Sequence, residues 1–151
     1  QLISKQAFRA MINQVLIGAA VMFSCVVIQS AMVATAFASL RRRRAAVAQP
    51  RSILRASLIV GVMTLWLMLV HAISVAAWAL TFSVLGVFSD WDTAVYFAAV
   101  SFTTLGFGDI IPPREWRQLA GLCAAHGLLV FGVSSAALVE VFRQTFEGRR
   151  Q

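Results

Sequence analysis

Three long stretches of the chain carry no charged side chain: residues 10–40, 56–89 and 118–139, which are 31, 34 and 22 positions long. A helix rises 1.5 Å per residue, so about 20 apolar residues cross the hydrocarbon layer of a bilayer. All three stretches are long enough, and the first two leave room to tilt or to extend beyond the bilayer. Backbone groups in lipid must find partners in their own segment, so each stretch is expected to be a helix. A fourth apolar run, residues 93–108, has only 16 positions, ends in glycines and is followed by Pro112 and Pro113. It is too short and too broken to cross. It is expected to enter the membrane and return, with protein or water around its irregular part.

Composition agrees with that pattern. Apolar residues make up 60% of the 151 positions and charged residues 13%, against about 45–50% and about 25% in an ordinary soluble domain. Disorder and a soluble globule are both excluded as expectations. The net charge of +7 suggests nucleic acid only until the charges are located. They lie in the gaps between apolar runs, which disfavours nucleic-acid binding. Cys25 and Cys123 lie inside apolar runs and read neither as a disulfide framework nor as a metal cluster. His71 and His126 stand alone in different spans, so each is expected to be a buried, hydrogen-bonded histidine rather than a zinc ligand.

The basic residues also orient the chain. Arg41, Arg42, Arg43, Arg44, Arg51, Arg55, Arg143, Arg149 and Arg150 fall on one side if the fourth run is re-entrant, and Lys5, Arg9, Arg114 and Arg117 on the other. Nine against four places the arginine loop and the C-terminus in the cytoplasm and the N-terminus outside. A voltage sensor needs arginines at every third position within a span. Arg41, Arg42, Arg43 and Arg44 are consecutive and read as a positive-inside anchor that touches anionic lipid.

Function is carried by Thr103-Thr104-Leu105-Gly106-Phe107-Gly108-Asp109. It follows a helix-like segment, residues 92–102, and precedes the third span. Glycines at alternate positions adopt backbone angles closed to other residues. An extended strand with left-handed kinks then points successive carbonyls to one side. Copies around an axis would stack those oxygens into rings that replace the water shell of a cation. Leu105 and Phe107 are expected to pack against the short helix, where Trp91, Tyr96, Phe97, Val100 and Phe102 supply neighbours.

This stretch resembles the potassium channel signature TTVGYGD, with Leu105 for Val and Phe107 for Tyr. The resemblance spans about residues 56–142 and implies an all-α membrane fold: three transmembrane helices, a re-entrant pore helix and a selectivity filter. It implies K+ at the carbonyls of Thr104, Leu105, Gly106 and Phe107, Gly108 shaping the outer mouth, and Thr103, Asp109 and Tyr96 supporting the filter. It implies a homotetramer, since one loop cannot ring an axis, an inner (plasma) membrane location, and no cofactor beyond the permeant ion. The chain then divides into residues 1–55, an extra transmembrane helix with a basic loop; residues 56–142, the pore domain; and residues 143–151, a short cytoplasmic tail. The expected function is passive, potassium-selective conduction and not catalysis. A non-selective cation channel shares the fold but typically disrupts the Gly-aromatic-Gly element. A membrane adaptor explains the spans but not the filter.

Several positions keep two readings. Tyr96, thirteen residues before Asp109, either donates a hydrogen bond to that carboxylate or sits at the membrane interface. Gly132, with Gly127 as competitor, resembles the glycine at which inner helices bend, and small residues also serve close packing. Glu140 either rings the inner mouth with its copies or pairs with Arg143 at i+3. Trp66, Trp78 and Trp116 mark packing or interfacial depth.

Overall fold

The computed structural model describes residues 2–42 and 53–146, which form helices and connecting turns with no strand among them. In order these are α1 (Leu2–Arg42), α2 (Ile53–Val84), α3 (Trp91–Phe102), a 3-10 turn (Arg114–Trp116) and α4 (Arg117–Phe146). Three helical segments are long and apolar enough to cross a membrane: Met11–Leu40, Ile53–Val84 and Arg114–Thr145. The molecule is a multi-pass membrane protein. Its helices are not bounded by the charge-free stretches: α1 runs on through Arg41 and Arg42, and α4 through Glu140 and Arg143. Charge ends an apolar run, whereas a helix ends where its backbone is capped. Arg43, Arg44 and Arg51, and residues 147–151 of the expected tail, lie outside the described residues.

The end of α2 illustrates the point. The charge-free stretch continues to residue 89, but the helix stops at Val84. Gly86 takes φ +67, donates to the Ser83 carbonyl at 3.0 Å, and Val87 donates to the Phe82 carbonyl at 2.9 Å. These are the two bonds of a Schellman cap, with glycine at the left-handed position. Val87 and Phe82 both join the same buried cluster, the apolar contact that accompanies this cap.

Burial follows the helical period. On α2 the buried positions include Met63, Leu67, Val70, Ser74, Trp78 and Phe82, and on α4 Leu119, Cys123, His126, Val130, Ser134, Ala137, Val141 and Thr145. Steps of three and four residues mark one face of each helix. The other faces expose Leu58, Val62, Leu65, Leu128, Leu129 and Val139, as helices that are apolar all round do in lipid.

Contacts divide the chain into two compact units. One comprises residues 1–26 and 73–130. Its core joins Trp78 and Phe82 of α2, Phe97, Ala98 and Phe102 of α3 and Leu119, Cys123 and Val130 of α4, with Ile17, Val21 and Met22 of α1 packed against it. Phe82 and Phe97 meet edge to face, centroids 5.3 Å apart at 74°, and Phe88 lies 4.9 Å from Phe97. Such pairs contribute about 0.5–1.5 kcal/mol each beyond burial. The other unit comprises residues 27–72 and 131–151. There the Trp66 indole donates to the Met32 carbonyl of α1 at 3.1 Å, and His71 Nε2 lies 2.9 Å from the Ser134 hydroxyl. The His71 ring also rests 4.5 Å from Phe131.

Candidate functional site

The short helix α3 is fixed at both ends. Asp90 caps its start: the carboxylate accepts from the Thr93 N–H at 2.9 Å and from the Thr93 hydroxyl at 3.1 Å. Such a cap is worth about 1 kcal/mol. Ala94, Phe97, Ala98, Val100 and Phe102 are buried, which commits one side of α3 to the core. At its end, the Thr103 hydroxyl donates to the Ala99 carbonyl at 2.7 Å. The Thr104 N–H then donates to Ser101 at 2.9 Å and the Leu105 N–H to Val100 at 3.0 Å. These are the same two bonds that close α2 over Gly86, but Thr104, not glycine, occupies the left-handed position, with φ +60. A β-branched residue there is an outlier that costs on the order of 1–2 kcal/mol.

The left-handed conformation recurs at every second residue: Thr104 at +60, Gly106 at +54 and Gly108 at +78. In an ordinary strand successive peptide groups face opposite ways. A mirror-handed residue at alternate positions lets the backbone undo that alternation, with N–H groups to one side and carbonyls to the other. A row of carbonyl oxygens is a cation site that needs no charged side chain. The partial negative charge at the C-terminus of α3, where the row begins, favours a cation there too.

Residues 103–109 are all exposed in the single chain. Leu105 and Phe107 are 60% and 66% exposed in the single chain, while Phe97, Val100 and Phe102, three of the neighbours expected for them, are buried.

Just beyond Gly108 the Tyr96 hydroxyl donates to Asp109 Oδ2 at 2.6 Å. That hydrogen bond holds the Asp109 carboxyl below its usual range and, from the other side, raises the Tyr96 phenol above its usual value. The two groups share one proton arrangement: phenol protonated, carboxylate ionised.

The remaining positions are spread along α4. A Cβ on Gly127 would overlap the backbone carbonyl of Phe102, whereas nothing lies within 4 Å of one on Gly132. Glu140 Oε1 accepts from the Gln144 amide at 2.7 Å, one turn on. His126 is buried and accepts from the Trp78 indole; with His71 on Ser134, both histidines have hydrogen-bonded partners. Cys25 and Cys123 are free thiols, and no cluster of metal-binding side chains occurs among the described residues. The Trp78–His126 pair escaped the sequence reading because nothing along a single chain says which residues of two spans face each other. The left-handed Thr104 was not legible because a β-branched residue rarely takes that conformation and nothing in its neighbours along the chain signals it.

Residues 58–144, from the first turns of α2 to the last turn of α4, match the family model described as Ion channel. No curated protein and no solved structure matches the chain.

Proposed function

Since this chain belongs to the ion channel family, through the match over residues 58–144, we propose that it is a potassium-selective channel that conducts K+ passively as a homotetramer. The observation that carries the reading is the left-handed backbone at Thr104, Gly106 and Gly108. With it, the carbonyls of Thr104, Leu105, Gly106 and Phe107 form the K+ sites and Gly108 the outer mouth. Carbonyl dipoles replace the hydration shell of the ion, and four copies complete each ring. Thr103, Tyr96 and Asp109 hold the two ends of the row. Tyr96 does so through its 2.6 Å bond to Asp109, and Thr103 through its bond to Ala99.

Gly132, with open space about it, is the bend of the inner helix in this reading, and Gly127 is a packing residue. Glu140 adds negative charge at the inner mouth through its copies. The basic residues Arg41, Arg42, Arg43 and Arg44 lie in the cytoplasm against anionic lipid, the N-terminus lies outside, and the membrane is the plasma membrane. Residues 1–55 supply the helix and loop that precede the pore unit.

The test is the reversal potential of the purified full chain in a planar bilayer with unequal K+ and Na+. It is expected to follow the potassium gradient. A reversal potential that follows both ions equally refutes the selectivity and leaves a non-selective cation channel.

A further inference from the structure

Two successive residues of α4 hold the end of α3. Gly127 brings its backbone against the Phe102 carbonyl so closely that a side-chain carbon would overlap it. His126 presents its ring to Phe102, centroids 5.5 Å apart at 81°. Phe102 is the last residue of α3, and the next residues are the strained turn at Thr104 and the carbonyl row. His126 is fully buried, as is Trp78.

The bond between them defines the state of the histidine. The indole N–H is only a donor, and it points at His126 Nδ1 from 2.9 Å. Nδ1 therefore carries a lone pair, and the hydrogen of the neutral ring sits on Nε2. Nε2 is buried and has no hydrogen-bond partner. One directed bond, from Trp78 alone, thus sets the rotation of a ring that touches Phe102. A phenylalanine at this position would fill similar space but would be free to turn.

We propose that His126 is a positioning residue of the carbonyl row: Trp78 fixes its ring, and the ring, with the Gly127 backbone, fixes Phe102 and hence the turn that sets Thr104. The proposal deepens the filter reading and rests on it. A displacement of Phe102 is passed on by the bonds from Thr104 to Ser101 and from Leu105 to Val100. Those bonds hold a backbone conformation that threonine adopts reluctantly.

The test uses the full chain in bilayers, with W78F, H126F, H126N and the double variant W78F/H126F. Each is read by K+/Na+ permeability ratio and single-channel burst length, beside thermal unfolding. H126N keeps an acceptor near the place of Nδ1. W78F/H126F removes both partners and leaves no orphaned polar group, so its folding stability is expected to stay near that of the parent. W78F, H126F and the double variant are expected to lower the permeability ratio or shorten bursts by about fivefold, the change one hydrogen bond of about 1 kcal/mol supports. H126N restores the bonded acceptor but not the ring that meets Phe102, so it is expected to fall between the parent and H126F. If H126F does not fold, W78F and the double variant decide the matter. A selective parent whose double variant matches it in ratio and burst length overturns the proposal, leaving His126 as packing. A parent whose reversal potential ignores potassium overturns the filter reading itself.

Discussion

A hydrogen bond between two exposed side chains usually contributes little to stability, because water competes for both groups. The Tyr96–Asp109 bond matters for where it is: it ties Asp109, which follows Gly108, to the helix that leads into Thr104. The pH dependence follows from the two shifts. The Asp109 carboxyl is lowered by the Tyr96 hydroxyl, so its contribution is complete above the usual carboxylate range and is lost as pH falls through the lowered value. The Tyr96 phenol is raised by Asp109, so its contribution is complete below the usual phenol value and is lost as pH rises through the raised one. The bond is intact between about pH 5 and pH 9, inside the ordinary values of both groups. Conductance is expected to be flat over that window and to fall on the acid side. In Tyr96→Phe the carboxyl loses the donor that depresses it, so the acid limb moves to higher pH. Recording conductance against external pH for both proteins tests this; superimposable acid limbs would show that the bond plays no part in conduction.

At the scale of the helix, α4 carries two glycines with opposite surroundings. Gly127→Ala forces a methyl group into the Phe102 backbone, and backbone yields less readily than a flexible side chain. Overpacking costs about 1–3 kcal/mol where neighbours can shift, and more is expected here. Gly132→Ala meets no atom within 4 Å and strengthens the helix by about 1 kcal/mol per chain. If four chains bend together and the contributions add, opening is disfavoured by about 4 kcal/mol, roughly a thousandfold in the open-to-closed ratio. Thermal unfolding with single-channel recording separates the two. Gly127→Ala should lose assembled protein, whereas Gly132→Ala should keep it, with lower open probability and unchanged selectivity. Unchanged open probability in Gly132→Ala would remove the bend from this position. The sequence alone put Gly132 first as the bend with Gly127 as competitor and left bend and packing equal, since spacing cannot reveal what a missing side chain faces. The spans, the interrupted fourth run and the Gly106-Phe107-Gly108 element were legible because they depend on local chemistry. The stop at Gly86 was not: the apolar run continues past it to residue 89, and only the bonds of Gly86 and Val87 end the helix. The burial of Phe97, Val100 and Phe102 on α3 was not legible either, because which residues of separate helices share a core is a property of the packed fold.

For the molecule as a whole, the single chain is an incomplete solution to its own environment. Lipid can cover the exposed Leu128, Leu129, Val133 and Phe142 of α4, but it offers nothing to a backbone carbonyl. Irregular backbone at membrane depth is stable only against protein or water, and an unsatisfied polar group there costs roughly 2–7 kcal/mol. In the proposed pore, residues 104–108, which are exposed in the single chain, would carry that cost unless other copies gather around the same axis with ions and water between them. Copies that meet head to tail close into a ring when the rotation allows it, and a ring would also give Leu105 and Phe107 the cover their own chain withholds. The number of copies can be read from function. Gly106→Asp places a charged side chain at a left-handed position, φ +54, and is expected to block conduction without altering α2 or α4. Co-reconstituting parent and variant in equal amounts leaves only the all-parental assemblies conducting. That fraction is about one-sixteenth for four randomly mixed chains and about one-quarter for two, by the statistics of a closed ring. Residual current near one-sixteenth, with a native mass of four chains, is the expected result. Current near one-half would mean that each chain conducts alone, and the carbonyl row would then need some other explanation than a ring.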